Sequence, residues 1–317
     1  MSRLAAGFVL ATLVVPAAAG QAAQPADECL MLSYFVGNGE DGLHLAHSRD
    51  GLRWKALAGG RSLLRPTVGR DRLMRDPSIA RGPDGTFHMV WTTSWNERII
   101  GYARSEDLVH WSPQRAIPVM MHEPTARNSW APELFYDQPS GQFLIIWSTT
   151  IPGRFPQTGG SSESDYNHRV YCTQTADFEA FTPTRLLFDP GYNVIDGFLA
   201  AAGEEYLLFF KDETLKPQPR KVILMATAEK LLGPYTRPTE PISPRDWIEG
   251  PSAIRIGDRW FVYFDCYRRH RYGAATSTDL ERWTDVTDKL VVPAGTRHGT
   301  VFRVDRETRE RLLAVGG

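Results

Sequence analysis

The sequence carries almost no charge imbalance: 36 Lys and Arg stand against 37 Asp and Glu, a formal net charge of −1. Without a basic field, general electrostatic attachment to nucleic acid is excluded, and so is a polyacidic tail or buffer protein. Cysteine is nearly absent. Cys29, Cys172 and Cys266 lie far apart with no C-x-x-C spacing, so neither a disulfide framework nor a cysteine zinc site is expected. They read as small buried apolar residues. Low-complexity blocks are also missing, because the 27 Gly and 22 Pro are scattered. Beyond the first two dozen residues no apolar run approaches a bilayer span, and no long helical period appears. What remains is an ordinary soluble composition with plentiful aromatics, 9 Trp, 11 Tyr and 15 Phe among 317 residues. That length allows two ordinary domains or one large β-rich domain.

The N-terminus reads as a signal peptide over residues 1–23. Arg3 supplies a short positive region, Leu4 to Val15 an apolar run, and Ala17-Ala18-Ala19 or Gln21-Ala22-Ala23 an A-x-A cleavage site. Cys29 follows Ala26-Asp27-Glu28, which is not a lipoprotein-type sequence. The mature chain is expected to be exported to the periplasm or the medium, without a membrane anchor.

Internal repeats set the expected architecture. Ser48-Arg49-Asp50-Gly51-Leu52-Arg53-Trp54 returns as Ser105-Glu106-Asp107-Leu108-Val109-His110-Trp111 and as Ser277-Thr278-Asp279-Leu280-Glu281-Arg282-Trp283. Weaker copies start at Thr175 and Thr227, so the acidic positions 50, 107, 177, 229 and 279 are spaced by 57, 70, 52 and 50 residues. Aromatic-rich strand patterns precede the copies: Leu30 to Val36, Phe87 to Thr93, Phe143 to Thr149, Tyr206 to Asp212 and Trp260 to Cys266. Units of this size cannot bury a core alone. Five of them predict an all-β, five-bladed β-propeller over residues 30–304, with 305–317 left as a C-terminal tail.

The innermost strand of each unit lines the central channel. Those strands are expected to begin near Arg75-Asp76-Pro77, Trp130-Ala131-Pro132-Glu133, Asn193-Val194-Ile195-Asp196, Ile248-Glu249-Gly250-Pro251 and Arg297-His298-Gly299. Each blade thus offers one ionisable residue to the channel: Asp76, Glu133, Asp196, Glu249 and His298. Residues 30–57 lack a first strand, and 297–304 form a first strand without a blade. Pairing the two closes the ring and removes its open edges.

Carboxylates converging on one funnel suit glycoside hydrolysis, which needs one protonated carboxyl to protonate the leaving oxygen and one ionised carboxyl to activate water or attack. A third acidic neighbour raises the acid's pKa. The ordered set Arg75-Asp76-Pro77, Trp130-Ala131-Pro132, Ile195-Asp196, Glu249-Gly250-Pro251 and His298-Gly299 resembles glycoside hydrolase family 43, over roughly residues 30 to 304. The resemblance implies a five-bladed, inverting glycosidase acting on arabinose-, xylose- or galactose-containing polysaccharides. It also implies Asp76 as general base, Asp196 as pKa modulator and Glu249 as general acid. His298 is similar to an axial histidine that in many members lies near a calcium with water ligands, although calcium prefers oxygen. No cofactor is otherwise expected. Arg75, Trp95, Trp130 and Glu133 are the candidate substrate contacts, Glu133 having no catalytic counterpart in the pattern.

Two alternatives remain. A related five-bladed clan hydrolyses fructans with retention, but its early Asn-Asp-Pro-type nucleophile motif does not precede Asp76. A non-catalytic carbohydrate-binding propeller would be expected to repeat one site per blade, whereas here the residues differ from blade to blade. The expected protein is an exo-acting, secreted monomer that binds polysaccharide or oligosaccharide, with arabinofuranosyl linkages first, xylosyl second and galactosyl third.

Overall fold

The computed structural model describes residues 29–244 and 246–314. The predicted signal peptide lies outside them. Five antiparallel sheets follow one another along the chain. The first blade holds β1 (Cys29–Tyr34), β2 (His44–Ser48) and β3 (Lys55–Ala56). The second holds β4 (Arg75–Arg81), β5 (Phe87–Thr92), β6 (Ile100–Ser105) and β7 (Arg115–Ile117). The third holds β8 (Trp130–Asp137), β9 (Gln142–Thr150), β10 (His168–Thr175) and β11 (Arg185–Phe188). The fourth has β12 (Val194–Ala202), β13 (Glu205–Asp212) and β14 (Val222–Ala228), and the fifth β15 (Glu249–Ile256), β16 (Arg259–Cys266), β17 (Arg271–Ser277) and β18 (Thr284–Asp285). The last strand, β19 (Val301–Val304), returns to pair with β1, Cys29 opposite Val304 and Leu32 opposite Val301. This is the predicted five-bladed propeller with its predicted closure.

The aromatic-rich segments are the second strands of the blades. They are apolar on both faces because each blade is covered on both sides by its neighbours; β5 is buried at every position. Five apolar clusters fill the five interfaces. Met31 and Leu45 meet Met89 and Trp91 between the first two blades, and Tyr34 and Trp54 meet Tyr263 and Ala274 between the first and last. Cys29, Cys172 and Cys266 are all buried and free.

The Ser-x-Asp repeat is a turn that ends the third strand of a blade. Asp107 Oδ1 accepts the backbone N–H groups of Val109 and His110 at 2.9 and 2.8 Å, while Ser105 Oγ accepts that of Leu108 at 2.8 Å. Asp50, Asp177 and Asp279 repeat the pattern. Short polar side chains satisfy backbone donors that a tight turn would otherwise strand. The copy at Thr227 differs, and so does its blade, which has three strands. Beyond β14 the loop supplies Thr236, Thr239 and Ile242 N–H groups to the carbonyls of Thr227, Met225 and Ile223 at 2.8 to 2.9 Å, so this edge is covered.

The stretch after residue 304, read as a tail, is the helix α1 (Arg306–Ala314). Asp305 caps it, accepting Thr308 N–H at 2.8 Å. Leu312, 3% exposed, packs into the cluster between the first two blades.

Candidate active site

The first strands share a defect that builds the site. Between Arg75 and Ser78 the pairing of β4 with β5 slips by one residue. The same slip occurs between Trp130 and Glu133, Ile195 and Phe198, and Glu249 and Ser252. On the closing strand Val301 pairs with Leu32 while Arg297 bridges Phe35, again one residue in excess. These are β-bulges, which bend a strand and re-aim a side chain. The bulged residues Asp76, Ala131, Asp196 and Gly250 have φ of 52, 46, 56 and 61°. The non-glycine ones hold a conformation that costs roughly 1 kcal/mol or more and persists only where the surroundings impose it.

Equivalent positions follow from this register. Arg75, Trp130, Ile195, Glu249 and Arg297 form one layer around the axis. Asp76, Ala131, Asp196, Gly250 and His298 form the next, and Ser78, Glu133, Phe198, Ser252 and Thr300 the one beyond. The five ionisable residues expected one per blade therefore sit at different depths. Glu249 precedes the Asp76 position by one residue, and Glu133 follows it by two.

His298 Nδ1 lies 3.2 Å from Asp76 Oδ1, and Thr92 Oγ1 donates to Asp76 Oδ2 at 2.8 Å. Burial disfavours the Asp76 charge, but the hydrogen bond and charge of His298, with Arg75 and Thr92, outweigh it and hold the carboxyl at about 2. Burial likewise opposes the imidazolium, yet Asp76, Asp196 and Glu249 together raise His298 to about 9. Gly250 makes this contact possible: a Cβ there would lie 2.3 Å from the His298 ring.

Glu249 is gripped at both oxygens, by Lys211 Nζ at 3.1 Å and Arg297 Nη2 at 3.0 Å. Burial pushes its pKa up, but Lys211 and Arg297 prevail and the net direction is down. Arg297 also binds Asp265 at 2.6 Å, and Lys211 also binds Glu213 at 2.7 Å, itself paired with Lys221. Asp196 Oδ2 accepts the Gly250 N–H at 3.0 Å. Its pKa rises to about 6, chiefly through burial; His298 opposes the rise and Glu249 adds to it. These groups line one cavity of about 520 Å³, walled on one side by Trp95, Trp130 and Tyr166. Trp130 packs edge-on to Trp95 at 5.5 Å and donates its Nε1–H to the Trp95 carbonyl at 2.9 Å.

Residues 27–310 match the family model for a glycosyl hydrolase domain related to glycoside hydrolase family 43, described as "Probable glycosyl hydrolase domain". The chain belongs to that family. Over 164 residues it is 24% identical to an α-L-arabinofuranosidase of Bifidobacterium longum subsp. longum, a match covering 44% of this chain and only 15% of that relative's length. Among solved structures, an α-L-arabinofuranosidase from Lactobacillus brevis superposes with a TM-score of 0.55 at 18% identity, covering 68% of this chain and 72% of that one. The catalytic domain of a Coprinopsis cinerea family 62 α-L-arabinofuranosidase gives 0.53 at 13% identity, covering 78% and 81%. These likenesses are of fold.

Within this glycosyl hydrolase domain Asp76, Asp196, Glu249, Arg75, Trp95, Trp130 and His298 all line the one cavity. Glu133 does not. It lies a layer deeper, 5% exposed, where Thr300 Oγ1 donates to it at 3.1 Å. Burial raises its pKa to about 8, against hydrogen bonds from Ser78 and Thr300. It serves as an interior hydrogen-bonding group, not as a surface for sugar. Direct ligation of calcium by His298 does not fit: Nδ1 faces Asp76 and the ring favours its protonated form, which has no lone pair to give. Among the described residues no group of three or more His, Cys, Asp or Glu is placed to hold a metal.

Sequence reasoning passed over Lys211, Arg297, Asn38 and Tyr166. Two had a legible signal. Lys211 interrupts the apolar strand Tyr206 to Asp212, and Arg297 stands before His298 as Arg75 stands before Asp76.

Proposed function

We propose that the protein is an exported, exo-acting, inverting glycosidase that releases terminal α-L-arabinofuranosyl groups, with xylosyl and galactosyl linkages ranked after them. The observation that carries this reading is the convergence of three carboxyls with opposed protonation preferences on one aromatic-walled cavity. Asp76, held ionised by His298, is the base that takes a proton from the attacking water. Glu249 is the acid that protonates the departing oxygen, and Asp196 modulates it. The relatives' names support arabinofuranose as the first sugar to try.

Glu249 leans towards its ionised form in the free protein. Asp196 and Glu249 interact, so protons bind to them as a pair. The pair must hold a proton at turnover, and the bound saccharide must loosen the grip of Lys211 and Arg297 on Glu249. A panel of nitrophenyl glycosides tests the sugar. Hydrolysis of the α-L-arabinofuranoside well above the β-D-xyloside and galactosides is expected, with the α-anomer's product appearing first as the β-sugar by NMR. Turnover of none of them defeats the reading. N-terminal sequencing of protein recovered from the medium or periplasm tests export, a start beyond residue 1 near residue 23 being expected.

A further inference from the structure

Three of the four cations lining the cavity, His298, Lys211 and Arg297, have carboxylates within ion-pair distance. His298 belongs to Asp76, Lys211 and Arg297 share Glu249, Lys211 also holds Glu213, and Arg297 also holds Asp265. Arg75 is the fourth, and it has none, while Asp196 and Glu163 line the same cavity without a cation at that distance among the described residues. Arg75 is 92% buried in the sense that 8% of its surface is exposed, and it lines the cavity. Its one side-chain hydrogen bond goes from Nη1 to Asn38 Oδ1 at 2.9 Å. Among the described residues no carboxylate stands within ion-pair distance of it. Asp76 and Glu249, each with a cation of its own, and the exposed Glu40 feel its charge only at longer range.

The guanidinium is also held still. Its carbon lies 4.8 Å from the Phe35 ring centroid and 4.3 Å from that of Trp95. Contact with both rings restrains the guanidinium at the cavity wall. A buried guanidinium has five donors, and one acceptor does not satisfy them. The partner that suits a fixed planar fork is a carboxylate, bound through two parallel hydrogen bonds.

We infer that Arg75 receives a carboxylate of the substrate, so that the saccharide this cavity takes carries a uronosyl residue. This rests on the reading of the cavity as a glycosidase site. The acid group is either on the sugar inside the cavity or on its neighbour, and the test separates the two. Binding is measured by calorimetry on the full chain, with D-glucuronate and D-galacturonate against D-xylose and L-arabinose, and with uronosyl-substituted against neutral xylo-oligosaccharides. A preference of about tenfold or more for the acidic ligand is expected, the scale of a charge-assisted hydrogen bond. Preference among oligosaccharides alone places the carboxylate on the sugar next to a released arabinofuranosyl group; preference among monosaccharides places it on the enclosed sugar, which is then a uronosyl and not an arabinofuranosyl group.

Arg75→Met should erase the preference for the acidic ligand. Asn38→Asp is the second variant, nearly isosteric and therefore expected to fold. It gives Arg75 an internal counter-ion, and the preference should fall several-fold. Equal binding of acidic and neutral ligands by the unaltered protein, no detectable binding of any acidic ligand, or a preference that survives both variants overturns the inference. Because binding needs no turnover, its failure leaves the hydrolysis of neutral aryl glycosides standing, and failure of that hydrolysis leaves an acidic preference measurable.

Discussion

His298 and Asp76 occupy the same bulge position on adjoining blades, and their side chains meet at 3.2 Å between Nδ1 and Oδ1. One comes from the last strand of the ring and the other from the second blade, so closing the ring and charging Asp76 are a single event. The pair joins fold to chemistry.

The first consequence is a pH dependence of stability. His298 has an ordinary value of 6.5 and sits at about 9 in the fold, so the folded chain binds its proton more tightly. That contribution is complete below the lower value and is lost as pH rises through the higher one. Asp76 moves from 3.8 to about 2, so its contribution is present above the ordinary value and is lost as pH falls through the folded one. Urea unfolding should show the difference between the unaltered protein and His298→Gln as greatest between these limits, shrinking towards alkaline pH. A difference that grows above pH ~9 would contradict the ion pair.

Acid and base are separable by leaving group. A nitrophenolate departs without a proton, whereas a sugar alkoxide needs one. Glu249→Gln should lower kcat on an arabino-oligosaccharide by about 10³-fold and on the nitrophenyl glycoside by far less, whereas Asp76→Asn should depress both by about 10³-fold or more. Equal losses for Glu249→Gln on the two substrates, with a selective loss for Asp196→Asn, would move the acid role to Asp196.

Lys211 sets the proton affinity of Glu249. Replacing it by Met removes the cation that does most to hold the carboxyl down, ahead of Arg297. The alkaline limb of kcat/KM should move to higher pH, by about one unit or more. Glu213 keeps Lys221 as partner, so the protein should fold with a stability loss of about 3 kcal/mol, the scale of a buried pair broken at one end. A limb that does not move would show that Lys211 acts on structure alone.

Closure gives the last test. Leu312→Ala removes a buried anchor of α1 and should cost about 2–3 kcal/mol. Deleting residues 297–317 removes β19 as well and exposes the edge of β1, so an insoluble or much less stable protein is expected. An unchanged melting temperature in either variant would mean that the ring is held some other way.

The architecture was legible because it is written five times. Aromatic second strands and Ser-x-Asp turns recur at spacings that no single helix or sandwich produces, and the missing first strand of the first blade pointed to β19. Depth along the channel was not legible. Asp76, Glu133 and Glu249 look equivalent in sequence, but side-chain direction in a strand reverses at every residue, and the bulge shifts the count again. The cations were hidden for another reason. Lys211 comes from a second strand, so its approach to Glu249 is a matter of blade packing, not of local pattern. The helix α1 was missed because its composition is mostly charged and only Thr308 and Leu312 are buried.

Ala131 stands where Asp76, Asp196 and His298 stand, on an identical bulge with φ of 46°, and carries only a methyl group. The frame therefore holds a blank seat. Backbone shape at that address is already enforced by Thr92 Oγ1, which accepts the Ala131 N–H at 2.8 Å. Whatever side chain is written there inherits an aim towards the axis without any strand being re-laid. A propeller built in this way can exchange the groups around its centre one at a time, and its reaction is a choice of occupants rather than a property of the blades that seat them.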